Sequence, residues 1–194
     1  MANSKIIIVE GAQGAGKTTI TDFLRHSLSY TNLYRLCGTS DITPAGKKKA
    51  EEMYIDLLDY MKKMENKSIN LLFDRTFFTE ENYCRLGKKE YTFTDVYEKL
   101  LDELSKLDFE IIYITLYLEN ENLYNERLSK PDRAGKAAFK GSNFAAQNSI
   151  SQQRIYLDMA KEIKDKYPSI NVVNIENSKL LEETKAELRR VLNF

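Results

Sequence analysis

Gly11-Ala12-Gln13-Gly14-Ala15-Gly16-Lys17-Thr18 is the stretch on which the reading of this chain turns. It fits G-x-x-x-x-G-K-[ST]. It follows directly on the β-branched run Ile6-Ile7-Ile8-Val9 and opens a segment of helical spacing, Lys17 to Leu28. The motif needs both flanks, and a chance glycine-rich turn would lack them. The glycines let the backbone curl until successive N–H groups face one anion. The N-terminus of the following helix adds partial positive charge. In such a loop the lysine reaches the β- and γ-phosphates of a nucleoside triphosphate, and the hydroxyl after it ligates magnesium. The expected nucleotide contacts are Gly11, Gln13, Gly14, Ala15, Gly16, Lys17, Thr18 and Thr19, with ATP and Mg2+ as the bound species. Lys17 is expected to stand exposed in this anion cradle.

Working outward, Ile69 to Asp74 is an apolar run that ends in a carboxylate and is followed at once by Arg75. The carboxyl ends of parallel strands line one crevice, which puts Asp74 beside the phosphate loop. There it is expected to join Thr18 as a metal ligand, or to accept the proton of an attacking hydroxyl. Arg75 suits a second anion, because a guanidinium grips oxyanions bidentately. The plainer reading of the pair is an ion pair at a strand end.

Further on, Lys130 to Asn143 breaks the helical pattern with Pro131, Gly135 and Gly141, and carries Lys130, Arg133, Lys136 and Lys140. Cations that close over a transferring phosphoryl group stabilise charge spread over its oxygens. A glycine-containing segment between two helices fits a lid over about residues 130–143. Arg127, on the helix before it, and Arg133 within it are expected to take part in catalysis with Lys17, Asp74 and Arg75.

The rest of the chain alternates in the same way. Strands are expected at Lys5 to Val9, Leu33 to Cys37, Ile69 to Asp74, Glu110 to Leu118 and Ile170 to Ile175. Between them, Pro44 to Glu65 repeats Met53, Leu57, Tyr60, Met61 and Met64 at helical intervals. Helices are also expected from Thr92 or Thr94 to Leu107, from Glu121 to Ser129, from Phe144 to Tyr167 and from Leu180 to Leu192. Strands separated by helices imply an α/β fold with a mainly parallel sheet. No linker divides the 194 residues, so residues 1–194 read as a single domain.

Composition narrows the function. Lys plus Arg number 29 and Asp plus Glu 29, a balance that weighs against a DNA or RNA coat. Cys37, Cys84 and His26 are too few for a structural zinc site and suggest no disulfide framework, which points to a reducing compartment. The apolar runs are too short to cross a bilayer. A cytoplasmic protein without a membrane partner is expected.

With these elements placed, the chain resembles the thymidylate kinase family and its cousins, the deoxynucleoside kinases. The likeness rests on Val9-Glu10-Gly11 leading into the loop and on Asp74-Arg75 followed by Thr79, Tyr83 and Gly87. It rests also on Thr43-Pro44-Ala45-Gly46 at the head of the long helix, and on Leu118-Glu119 followed by Arg127-Leu128. The resemblance implies a five-stranded parallel sheet flanked by helices on both faces, a short lid, magnesium-ATP as donor and a homodimer. It implies a deoxynucleoside monophosphate, thymidylate-like, as acceptor. The alternatives are a deoxynucleoside, since Asp74-Arg75-Thr76 lies halfway to the Glu-Arg-Ser of the second family, or bases or ends within DNA. The chain departs from the first family at Gln13, where an Asp is usual, and it lacks the Arg-Glu-Pro before the long helix. It also lacks the Arg-x-Arg-x-x-Glu lid of the second family. Phe77, Phe78, Tyr83, Gln147 and Asn148 are candidates for base contacts, although aromatic residues beside a crevice more often pack in the core.

Overall fold

The five apolar runs form strands that lie side by side in one sheet, and the amphipathic segments cover both of its faces. The computed structural model describes residues 4–129 and 145–194. The strands are β1 (Lys5–Gly11), β2 (Thr31–Arg35), β3 (Asn70–Asp74), β4 (Glu110–Tyr117) and β5 (Ile170–Glu176). The helices among the described residues are α1 (Lys17–Ser27), α2 (Pro44–Lys63), α3 (Phe77–Arg85) and α4 (Thr94–Ser105), then α5 (Leu123–Leu128), α6 (Ala146–Lys166) and α7 (Leu181–Leu192). The sheet order is β2-β3-β1-β4-β5, and every pairing is parallel. The expected α/β class and five-stranded parallel sheet are observed.

β1 is the central strand, and Ile6 to Val9 are fully buried, as a strand covered on both faces must be. Its side chains alternate between two cores. Ile6 and Ile8 join α2, α3, α4 and α6 through Tyr54, Phe77, Leu100 and Met159. Ile7 and Val9 join α1, α5 and α7 through Ile20, Leu24, Tyr124 and Leu188. With both faces filled, the carboxyl edge of the sheet is where a polar site has room, and Gly11, Arg35, Asp74, Tyr117 and Glu176 all end there.

Some details depart from the sequence reading, most element ends by a residue or two. β2 runs Thr31–Arg35, two residues ahead of the expected strand. α3 was not expected at all, because its buried residues include Thr79, Glu80, Glu81 and Asn82, and polar side chains erase the apolar periodicity that marks a helix. α4 stops at Ser105, short of Leu107. The expected lid, with Lys130, Arg133, Lys136 and Lys140, lies outside the described residues. No helix among the described residues is long and apolar enough to cross a membrane.

Candidate active site

The phosphate-loop motif is shaped by two close approaches that only glycine allows. Gly11 ends β1 at φ 148°, and a Cβ there would lie 2.6 Å from the Leu116 carbonyl oxygen on β4. Gly16 stands before α1 at φ 99°, where a Cβ would lie 2.4 Å from Asn177 Nδ2. Gly14, at φ 91°, adds a third positive angle. Positive angles of this kind belong to loops whose main-chain N–H groups can face an anion, although here the Gln13 N–H donates to Gln152 and the Ala15 N–H to Ala12.

The loop carbonyls are engaged from outside and inside. Arg127 Nη1 donates to the Gly14 oxygen at 3.3 Å, and its Nη2 to the Asn177 oxygen at 2.7 Å. Asn177 Nδ2 donates to the Ala15 oxygen at 2.8 Å, while Thr184 Oγ1 donates to Asn177 Oδ1 at 3.0 Å. Lys17 Nζ donates to the oxygens of Gly11 and Ala12 at 2.7 and 2.9 Å. Lys17 is thus buried rather than exposed, at 5% accessibility, because the loop wraps its ammonium in carbonyl oxygens. Thr18 and Thr19 are exposed on the first turn of α1.

Asp74 closes β3, in register with Val9 on one side and Arg35 on the other. Thr18 Oγ1 donates to Asp74 Oδ2 at 3.5 Å. A hydroxyl and a carboxylate meeting beside a phosphate loop are hard oxygen donors of the kind magnesium accepts, and magnesium retains several waters and binds substrate phosphates as well. The described residues contain no group of three or more His, Cys, Asp or Glu that could hold a metal by themselves. The pair therefore fits magnesium only as a partial coordination shell that water and phosphate complete. Arg35 Nε stands 3.6 Å from the same Asp74 oxygen, and its Nη2 pairs with Asp22. This guanidinium would compete with any cation for the carboxylate.

Arg75 adopts φ 74°, a left-handed conformation that a non-glycine residue enters at a cost of order 1–2 kcal/mol. Three contacts hold it there. Its own N–H donates to the Val9 oxygen at 3.2 Å, and the Thr76 N–H donates to Glu10 Oε1 at 2.7 Å. Its Nη2 donates to Gln13 Oε1 at 3.1 Å, which brings the guanidinium onto the phosphate loop. Strain of this kind collects where a site fixes one side chain in one place.

Glu10 is a buried carboxylate behind the loop that the motif reading passed over, because it entered only as the letter before the first glycine. It is fully buried and also accepts from Thr79 Oγ1 at 2.9 Å. Burial pushes its carboxyl up to about 7, against the downward pull of the Thr76 and Thr79 hydrogen bonds and the charges of Lys17 and Arg75.

Across the crevice, the chain after β2 is pinned onto α3 by another buried carboxylate. Glu80 accepts from the Thr39 N–H at 3.0 Å and from Tyr91 Oη at 2.5 Å, and pairs with Lys89 Nζ at 3.0 Å. Lys89 in turn donates to the Thr39 oxygen at 2.5 Å. Phe77 and Phe78, offered above as base contacts, are buried and stack at 4.4 Å in the core. Tyr83 is half-buried on α3, Asn148 is half-buried on the first turn of α6, and Gln147 is exposed beside it. The buried amides of α6 lie further along, at Gln152 and Gln153.

The structure thus gathers Gln13, Lys17, Thr18, Asp74, Arg75 and Arg127 around one loop, while Arg133 lies outside the described residues. No protein-family model matches this chain, and no curated protein sequence matches it. Solved structures do match. A thymidylate kinase from Candida albicans superposes with a TM-score of 0.63 over 100% of this chain and 94% of its own, at 16% identity. The same architecture recurs there from end to end. The fold is that of the thymidylate and deoxynucleoside kinases. A deoxyadenosine kinase from M. mycoides, at 20% identity, covers 97% of this chain and 98% of its own with a TM-score of 0.58. A thymidylate kinase from Ehrlichia chaffeensis, at 15% identity, covers 98% and 99% with a TM-score of 0.56.

Proposed function

We propose that the chain is a single-domain, magnesium-dependent phosphotransferase. It moves the γ-phosphoryl group of ATP onto the phosphate of a deoxynucleoside monophosphate and yields the diphosphate. The observation that carries this reading is Arg75, strained in its backbone and brought by Gln13 to the mouth of the phosphate loop. A guanidinium fork in that place suits a second phosphate, one that must lie in line with the first.

Each residue then has a role. Main-chain N–H groups of the loop and the α1 N-terminus bind the donor phosphates. Lys17 exchanges its carbonyl partners for phosphate oxygens. Thr18 and Asp74 would hold magnesium, which screens the charge that develops between the β- and γ-phosphates. Arg127 braces the loop, and Arg133 is assigned to the transferring group from the sequence pattern. An acceptor oxygen bonds to the γ-phosphorus as the bond to the bridging oxygen breaks, and ADP departs. The second pKa of a phosphate monoester is about 6, so the attacking oxygen is already unprotonated at neutral pH and Asp74 need not remove a proton. Homodimer formation, on the strength of the resemblance, and a cytoplasmic location, on the sparse cysteines and short apolar runs, belong to the same proposal.

A deoxynucleoside as acceptor is the second reading. The likeness to deoxyadenosine kinase over 97% of the chain favours it, and Asp74 would then act as the base. Arg75→Ala separates the two. For a monophosphate it should raise KM strongly and lower kcat, with a much smaller effect on the matching nucleoside. Asp74→Asn is the companion, since extra magnesium restores part of the loss only if Asp74 serves the metal. A wild type that prefers nucleosides, with Arg75→Ala harming both acceptors equally, overturns the first reading.

A further inference from the structure

We propose that Gln13, although it sits inside the phosphate loop, is a positioning residue for the acceptor side. Its side-chain carbonyl fixes the Arg75 guanidinium, and its main-chain N–H fastens the loop to α6 instead of joining the anion cradle. This inference rests on the reading of Arg75 as the acceptor arginine.

The geometry assigns both halves of the residue. A guanidinium only donates, so the atom that meets Arg75 Nη2 at 3.1 Å is the Gln13 oxygen Oε1, which fixes the orientation of the amide. The Gln13 N–H donates to Gln152 Oε1 at 3.1 Å. Gln152 is itself buried on α6, and its main-chain oxygen accepts from Asn82 Nδ2 of α3 at 3.0 Å, with Asn82 fully buried. One line of hydrogen bonds therefore runs from Arg75 through Gln13 and Gln152 to Asn82, and joins the turn after β3 to the loop, α6 and α3. The neighbouring loop residues are held from the opposite side, Gly14 by Arg127 and Ala15 by Asn177. Residue 13 is where the loop changes allegiance from donor to acceptor.

Charge matters as much as reach. A neutral amide orients Arg75 while leaving its full positive charge for a phosphate. A carboxylate at the same position, as thymidylate kinases usually carry, would orient it equally well and offset part of that charge. Gln13→Leu and Gln13→Glu thus break different things, and neither should disturb the main-chain bond to Gln152.

The test has two readouts. In 15N-labelled protein at low temperature, the Arg75 guanidinium signal, assigned by its loss in Arg75→Ala, should show restrained rotation in wild type and Gln13→Glu but not in Gln13→Leu. In kinetics with a monophosphate acceptor, Gln13→Leu should raise the acceptor KM about tenfold, the scale of one hydrogen bond to a charged group, with the ATP KM within about twofold. Combined with Arg75→Ala it should add nothing further, as two residues acting through one contact do. Gln13→Glu should also raise the acceptor KM although the guanidinium stays ordered. An Arg75 signal unchanged in Gln13→Leu, a rise confined to the ATP KM, or additive effects in the double variant would each overturn the assignment. Should the wild type transfer phosphate to no acceptor, the proposed activity falls, while the guanidinium signal still decides whether Gln13 holds Arg75.

Discussion

The proposed donor side of the crevice is held through main-chain carbonyls, which accept from Lys17, Arg127 and Asn177, whereas the proposed acceptor side hangs on two buried carboxylates. Glu10 accepts from Thr76 and Thr79, and Glu80 from Thr39, Tyr91 and Lys89. A cradle made of backbone depends on glycines at fixed positions and is indifferent to most side-chain chemistry. A cradle made of buried charge depends on each partner and on pH.

The largest effect should come from the acceptor side. Glu80→Ala leaves Lys89, whose side chain is only 6% exposed, without its carboxylate. Breaking a buried pair from one end costs about 3–5 kcal/mol. For a chain of this size that is a fall in Tm of roughly 6–20 °C, readable by thermal unfolding. A variant that melts with the wild type would mean that the acceptor side is not held by this charge.

Lys17→Ala comes next and strikes the donor side. Loss of one preorganised charge contact lowers the transfer rate by ~10²–10³, measured as ADP release under saturating acceptor. The two variants sharpen the contrast if Glu80→Ala acts mainly on stability and Lys17→Ala mainly on rate.

Third is pH. In the folded chain Glu10 keeps its proton up to about 7, against 4.5 for an unperturbed glutamate. Between those values the folded state binds more protons than the unfolded one, so stability falls as pH rises. The fall is on the order of 3 kcal/mol at about 1.36 kcal/mol per unit. Urea unfolding from pH 4.5 to 8 should show it, and Glu10→Gln, which keeps an acceptor for the Thr76 N–H, should flatten the curve. An equal slope in the variant would place the titration elsewhere.

The smallest effect concerns Arg35, whose half-exposed guanidinium shares Asp74 with any bound cation. Arg35→Met should lower the magnesium concentration for half-maximal rate by roughly two- to threefold, the scale of a solvent-screened ion pair. No change would mean that Arg35 serves Asp22 alone.

The same contrast explains what could be read from the sequence. Gly11 to Thr18, the strand before them and Asp74-Arg75 at the end of β3 carry their signal in fixed spacing, and the sheet followed from apolar runs. α3 was hidden because Glu80, Glu81 and Asn82 are buried against polar partners, so the helix shows no apolar stripe. Glu10 and Asn177 were equally silent. Their importance comes from contacts with Thr76 and Ala15, 66 and 162 positions away, and no local pattern records such a meeting. Gln13 was legible as a departure, but its two partners were not.

The proposed reaction is phosphoryl transfer to a phosphate. The direct measurement incubates the wild-type chain with ATP and magnesium across a panel of deoxynucleosides and their monophosphates, following ADP release and identifying the products. ADP release well above the acceptor-free rate is expected with at least one deoxynucleoside monophosphate, matched by its diphosphate, and weaker release with the corresponding nucleoside. Release with nucleosides alone, or none above the acceptor-free rate with any member of the panel, would contradict it.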